Sequence, residues 1–455
     1  MRRHVIIGRF GSSDRVRIPS ADAESVTRLE FVAANRRLEH GIGRALDDLA
    51  KLGVFPSEIG LDVLVLAAHV QAADTRISRA TESQDSWTRE IRLVVPVSDL
   101  ARWTTTIPLL QRLLNFLTGD RWMVGFRPRP AGFEKAVACR PSPPITIPFN
   151  GLALFSGGLD SLIGAIDSLQ QGQTPLLISH AGEGSTSEAQ NTLFQDLKTN
   201  YPNQNFERLR IWMDFRDWHV RNVESEKTTR GRSFLFFAAG VFAGTGCGDN
   251  FTLRVPENGL IALNVPLDLL RLGSLSTRTT HPFYMARWND LLAALGISGR
   301  VENPYWDKTK GEMVAACANP KLLTRLVPGS LSCASPTKGR WQGRGSEHCG
   351  YCLPCLIRRA ALRQGLGVAD PTSYTLQDLN GKVLDTRQAE GQQVRSFQFA
   401  IERLKRKPQL AELLIHKPGP LSDESPSRQA ALADVYRRGL YELATLLAGV
   451  RAAPG

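Results

Sequence analysis

Two short stretches of the 455-residue chain carry side chains whose types and spacing can do chemistry. The first is Leu154-Phe-Ser-Gly-Gly-Leu-Asp-Ser-Leu162, where an apolar run ends in two glycines and a helix-forming run begins. Such a strand-to-helix junction holds phosphates well: glycines turn without a side chain in the way, their N–H groups form an anion nest, and the helix adds its positive end. Ser156 and Ser161 supply hydroxyls, and Asp160 can cap the helix, help position Mg2+ or hold the loop closed. The loop of Ser156, Gly157, Gly158, Leu159, Asp160 and Ser161 lacks the lysine of a GxxxxGK[ST] loop. It suits a pyrophosphate that leaves as one unit, as when ATP is split between its α and β phosphates. A Gly-Gly turn that merely joins strand to helix is the structural alternative, and the flanking serines and aspartate narrow the pattern against it.

The second stretch is Cys349-Gly-Tyr-Cys352-Leu-Pro-Cys355, with Cys333 upstream. Four thiolates complete a closed tetrahedral Zn2+ site with no open position, which makes the metal structural. Its formal charge of about −2 can be offset by Lys338, Arg340, Arg344, Arg358 and Arg359, and His348 is a substitute ligand candidate. An iron–sulfur cluster uses similar ligands but nothing else here suggests electron transfer. A redox CxxC pair needs only two cysteines. Unligated cysteines would be scattered, as Cys139, Cys247 and Cys317 are.

The elements that must position these groups follow from periodicity. From Gly151 onward, GLALF, TPLLISH, ERLRIWM and GLIALNV read as short apolar strands. They alternate with the helical runs DSLIGAIDSL, SEAQNTLFQDLKTNY and RSFLFFAAGVFAGTG, an α/β pattern that predicts a parallel sheet covered on both faces over 151–330. Such sheets bind ligands at the carboxyl ends of their strands. Residues 331–366 form the cysteine segment and 367–455 a helical tail, in which Leu432, Tyr436, Leu440, Leu443 and Leu447 line one helix face and Ser427 is the cap candidate. Proline density at 141–150 reads as a linker. Before it, residues 1–140 read as an α+β domain, with REIRLVVPV and DVLVLAA as strands and IPLLQRLLNFLTGD as a helix stopped by Gly119.

Composition sets outer bounds. A hydrophobic fraction of 42% supports a folded, multi-domain chain, and a net charge of +12 favours anionic partners. No apolar run approaches the roughly 20 residues of a membrane span, and the opening MRRHVIIGRFGSSDR is too poor in apolar residues for a secretory signal, so a cytoplasmic protein without membrane contact is expected.

Ser-Gly-Gly-Leu-Asp-Ser resembles the signature of the PP-loop ATP pyrophosphatases, which adenylate a carbonyl or carboxyl oxygen and let a nitrogen or sulfur nucleophile displace AMP. Together with Ser332, Cys333, Cys349, Gly350, Cys352, Cys355 and Arg358, it resembles the QueC-like 7-cyano-7-deazaguanine synthase family over about residues 150–362. Smaller matches are SHAGEGSTSEAQ, containing His180, Gly182 and Glu188; RGRSFLFFAAG, with Arg232 retained and Ser233 where asparagine is usual; and DKTKGEMV, giving Lys310 and Glu312. The resemblance implies ATP, Mg2+ and Zn2+ as cofactors, nucleotide contacts from the glycine loop, His180 and Gly182, and Lys310, Arg232 and Asp160 as catalytic residues.

Three departures qualify it. The Cys333–Cys349 gap is long and contains Arg340, Trp341 and Arg344. RVPENGLIALNV stands where an asparagine- and aspartate-rich substrate stretch is usual, so Glu257 and Asn258 are candidates for purine recognition. The compact housekeeping enzymes lack the amino-terminal domain and helical tail. The extended architecture resembles the Qat-type components of bacterial anti-phage defence, which implies joining of a 7-deazaguanine carboxylate to an amine of a partner protein encoded nearby. A nitrile made with ammonia, a tRNA-modifying enzyme that binds nucleic acid, and a non-catalytic scaffold remain the alternatives.

Overall fold

The computed structural model describes residues 3–19, 21, 24–138, 149–182, 184–220, 223–226, 228–248, 250–267, 278–337, 343 and 345–455. Cys139, Lys338, Arg340, Trp341, Arg344 and most of the linker at 141–150 lie outside them.

The amino-terminal part is built from β1 (Arg3–Arg9), β2 (Glu24–Glu30), α1 (Ile42–Lys51), α2 (Glu58–Arg76), α3 (Arg79–Glu82), β3 (Glu90–Val97), α4 (Leu100–Thr105), α5 (Ile107–Thr118) and β4 (Arg121–Pro128). Its sheet has the order β2-β1-β3-β4 and every pairing is parallel. The expected α+β class is therefore corrected to α/β. The error came from DVLVLAA, which lies inside α2 and is not a strand. A continuous apolar run is equally compatible with a buried strand and a helix buried on all sides. Here the helix won because α2 packs between β3 and the long helix α8 of the second sheet, burying every residue from Gly60 to Asp74. The strand REIRLVVPV appears as β3, and IPLLQRLLNFLTGD forms α5, ended by Gly119 at φ +75.

The second sheet contains β5 (Gly151–Leu154), β6 (Pro175–His180), β7 (Glu207–Ile211), β8 (Phe251–Arg254) and β9 (Gly299–Glu302) in the order β7-β6-β5-β8-β9, all parallel. The connecting helices are α6 (Leu159–Gln170), α7 (Gly184–Asn200), α8 (Arg232–Gly244), α9 (Gly259–Leu263) and α10 (Pro282–Ala294). GLIALNV, expected as a strand, carries α9 instead; the fourth strand is the preceding FTLR segment, β8. Asn258 caps α9 by accepting from the Ile261 N–H at 3.1 Å, and that cap diverts an apolar run of strand-like composition into a short helix. The strand order reverses direction between β5 and β8, which places a crevice at their carboxyl ends.

One apolar core runs through both sheets: Ile6 and Leu93, Leu64 of α2, Phe234 and Phe237 of α8, and Leu152, Ile178 and Leu253 all belong to it. The α2–α8 layer is thus shared. Its polar seam is a sealed network in which Asp74 and Asp120 bind Arg89 at 3.1 and 2.6 Å and Arg79 at 3.3 and 2.7 Å. Asp74 also accepts from the Gly231 N–H at 2.7 Å, fixing the residue that precedes α8.

After β9 come α11 (Lys310–Ala315), α12 (Pro320–Leu326), α13 (Leu353–Gly365), α14 (Ala389–Arg406), α15 (Leu410–Leu414) and α16 (Pro426–Leu446). Two-residue strands, β10 (Leu384–Asp385) and β11 (Ala452–Ala453), pair in parallel. The tail is helical as expected, with Leu432, Tyr436, Leu440, Leu443 and Leu447 buried in a second core that also contains Leu260, Leu263 and Leu356. Its cap is Ser425, which accepts from the Arg428 N–H at 3.3 Å, and not Ser427, because Pro426 supplies the first helical residue.

Candidate functional site

The site is assembled at the carboxyl ends of β5, β6 and β8. After β5 the chain turns through Ser156 and Gly157, whose φ of +81 is accessible to glycine, and enters α6 from Gly158, which offers no side-chain cap. Gly157 is also crowded: an added Cβ would lie 3.1 Å from Gln190. Gln190 Nε2 in turn donates to the carbonyls of Ser156 and His180, each at 3.3 Å, tying the loop to the end of β6. Inside the loop, Ser156 Oγ donates to Ser161 Oγ at 3.2 Å and accepts from the Gly158 N–H at 3.3 Å, while Ser161 Oγ donates to the Gly158 carbonyl at 3.0 Å. A Gly157→Ala chain should keep its fold with a loss of about 1–2 kcal/mol from the left-handed backbone, read as a lower midpoint in denaturant unfolding, because Gln190 and the loop must separate.

On the β8 side, Asp160 is 8% exposed and does not cap α6; it lies in the first turn and faces inward. Its Oδ1 pairs with Lys310 Nζ at 2.8 Å, and its Oδ2 accepts from Asn258 Nδ2 at 2.8 Å and from the Asn258 N–H at 3.2 Å. Both oxygens are committed to protein groups, so Asp160 acts as the locking residue of the crevice. Lys310 is the first residue of α11, and Thr309 and Glu312 close a capping box around that start. Glu442 of α16, a buried carboxyl that sequence reasoning missed, accepts from Thr309 Oγ1 and, at 3.2 Å, from the Gly311 N–H. The signal for it was present in the sequence: Glu442 falls seven residues after Val435 and three after Gly439, in line with buried positions of α16. Burial pushes its carboxyl above the ordinary carboxylate range.

Glu257 follows β8. Its carboxylate accepts from Thr280 Oγ1, and Asn303 clamps its backbone, Nδ2 donating to the Glu257 carbonyl at 2.7 Å. Burial pushes the carboxyl up to about 7; the Thr280 hydroxyl opposes this, Asp160 adds to it and Lys310 opposes it.

On the β6 side, Arg232 at the start of α8 approaches Gly182, where a Cβ would meet Arg232 Nη2 at 3.1 Å and His180 Nδ1 at 3.9 Å. Burial, reinforced by Arg232, holds His180 down at about 4, so its ring is neutral near pH 7. Glu188, on α7, is exposed. The structure therefore brings these predicted residues to one edge of one sheet, with Lys310 meeting the glycine loop through Asp160 on one side and Arg232, His180 and Gly182 on the other.

The four predicted cysteines converge. The Sγ atoms of Cys333, Cys349, Cys352 and Cys355 lie within 4.8 Å of one another, with Cys333–Cys352 and Cys349–Cys355 at 3.9 Å. A tetrahedral Zn–S bond of 2.3 Å requires sulfur separations of about 3.8 Å, so the set fits a four-thiolate metal site. Backbone N–H groups of Cys349, Cys352 and Ser335 donate to the sulfurs at 3.3 Å, further stabilising thiolates. His348 is not in this set: its Nε2 accepts from the Ser332 N–H at 3.1 Å, and burial holds the ring down at about 3. Arg358 is fully buried and is spent on structure, donating to Ser330 Oγ at 2.8 Å and the Val327 carbonyl at 2.7 Å.

These last bonds reveal why the cysteine segment matters to the crevice. The Ser330–Ser332 segment that Arg358 and His348 hold lies against the glycine loop: the Leu331 N–H donates to the Gly157 carbonyl at 2.8 Å, and Ser332 Oγ accepts from the Leu159 N–H at 3.2 Å. Cys333 is the next residue, so the metal site and the loop are joined by one peptide segment. Comparison with family models, curated proteins and solved structures finds no match to this chain.

Proposed function

We propose that this protein is an ATP-dependent activating enzyme of QueC-like, PP-loop type, which adenylates the carboxylate of 7-carboxy-7-deazaguanine, releases pyrophosphate and passes the acyl group to an amine. The observation that carries the reading is the glycine loop opening α6 at the switch point between β5 and β8, beside the buried Asp160–Lys310 pair. In this reading the loop amides and the α6 amino terminus hold the ATP phosphates with Mg2+. Lys310 and Arg232 flank that position from opposite sides and stabilise charge on the departing pyrophosphate, where fixed donors contribute most. Asp160 keeps Lys310 and Asn258 in place. Zn2+ held by Cys333, Cys349, Cys352 and Cys355 fixes Ser332 against the loop and takes no part in bond making, since four thiolates leave no open position. The deazaguanine identity and a role in anti-phage defence rest on sequence resemblance. The additional sheet and helical tail, with the net charge of +12, supply docking surface for a macromolecular acceptor.

The thiolating alternative is disfavoured by where the other described cysteines sit. Cys317 is buried next to Asp167, and its thiol is pushed up to about 12, chiefly by burial. Cys247 lines a cleft with Gly151 and Phe251, at the amino ends of the strands, the edge opposite the loop. Among the described residues no helix is long and apolar enough to cross a membrane.

The test is pyrophosphate release from ATP by purified protein with 7-carboxy-7-deazaguanine, using ammonia or a protein encoded nearby as acceptor, followed by intact mass of both reactants. Acid-dependent pyrophosphate and an acceptor that gains the mass of the base support conjugation. Nitrile with ammonia alone restores the synthase reading, and absence of acid-dependent pyrophosphate rejects the proposal.

A further inference from the structure

We infer that Glu257 is the proton acceptor for the incoming amine. This deepens the proposed function and rests on it. Glu257 lies three residues past the end of β8, adjoins the residue that binds Asp160, and is clamped by Asn303 and Thr280, so its carboxyl is fixed at the carboxyl edge of the sheet. Thr280 engages Oε2, while Oε1 has no hydrogen-bond partner among the described residues. Among the described residues, the charged groups that face it are Asp160 from α6 and Lys310 from α11; the Thr280 hydroxyl comes from the segment before α10 and the Asn303 amide from the segment after β9.

Attack by an amine on an activated carboxyl forms the C–N bond, breaks the bond between acyl carbon and phosphate oxygen, and leaves a proton on nitrogen that must go to a base. Asp160 cannot serve, because both its oxygens are bound to Lys310 and Asn258. His180 is a weak base on the far side of the loop, held down at about 4. Glu257 offers an oxygen without a hydrogen-bond partner among the described residues, with a proton affinity near neutrality, where general bases are most effective. In the step, Oε1 takes the amine proton as AMP leaves. Purine recognition, the role read for Glu257 from sequence, would place this carboxyl against the ring instead of the reacting carbon.

The experiment separates two half-reactions in the full-length protein. Exchange of labelled pyrophosphate into ATP, dependent on 7-carboxy-7-deazaguanine, reads carboxylate activation; single-turnover transfer to glycinamide reads aminolysis. Glu257→Gln should lower transfer by about 10²–10⁴-fold, the usual contribution of a general base, and lower exchange far less. Wild-type transfer should rise with pH through about 7, as the raised Glu257 carboxyl loses its proton. That limb should be missing in Glu257→Gln and displaced to higher pH in Thr280→Val, which loses the hydroxyl that favours the carboxylate. Equal losses of exchange and transfer, or a higher KM for the acid with unchanged transfer, would assign Glu257 to substrate binding and overturn the inference. No exchange in the wild-type protein would reject the activating function itself.

Discussion

Cys355→Ser is expected to release the metal and loosen the glycine loop in the same step. Cys355 is fully buried at the first turn of α13, and its sulfur lies 3.9 Å from that of Cys349. With one thiolate missing, the site can no longer close around a tetrahedral ion, and structural zinc sites contribute their binding free energy directly to folding. Because α13 is also held by the apolar contacts of Leu356 and Leu362, the expected loss is on the order of 5 kcal/mol, the upper end for one substitution. The functional consequence passes through Ser332: once Cys333 is untethered, the Leu159 N–H and the Gly157 carbonyl lose the partners that the Ser330–Ser332 segment supplies. Elemental analysis should find one zinc per wild-type chain and none in the variant, with a lower Tm and weaker ATP binding. A variant that loses zinc while binding ATP as the wild type does would show that the segment and the loop are energetically independent.

Lys310→Met should lower acid-dependent pyrophosphate release by about 10²–10³-fold, as expected for loss of one preorganised donor to developing charge. The substitution also strands Asp160, whose charge would be buried without its ion-pair partner at 2.8 Å, a defect that costs about 3–5 kcal/mol. These two effects can be separated. In the double variant Lys310→Met, Asp160→Asn neither charge remains, so stability should recover most of the loss while activity does not. Recovery of both would make the pair purely structural and remove Lys310 from the chemistry. A Glu442→Gln chain probes the same point from behind, since it perturbs the start of α11 without touching the crevice, and its activity should fall by less than that of Lys310→Met.

Much of the second sheet was legible because its signals are local. A strand, two glycines and an apolar-faced helix occupy consecutive residues around Gly157, and three of the four cysteines fall within seven residues. Spacing of that kind constrains geometry before any tertiary contact forms. The amino-terminal class was misread for the converse reason: α2 is buried on all sides, so its sequence lost the amphipathic period that distinguishes helix from strand, and only packing against α8 decided the matter. Proximity in sequence makes His348 a candidate substitute ligand, whereas its side chain turns to the Ser332 N–H.

The sequence by itself determined which chemical groups the chain possesses and the local turns that expose them: a phosphate-compatible loop, four clustered thiols, and a lysine and an arginine each at the start of a helix. Tertiary structure alone decided which of these meet. Asp160 and Lys310 are 150 residues apart in the sequence, and Glu442 lies farther along still, so no spacing rule could pair them. Their contact depends on the switch in strand order between β5 and β8 and on α16 packing against α13 and α11, arrangements fixed by burial of apolar faces and not by the polar residues they bring together.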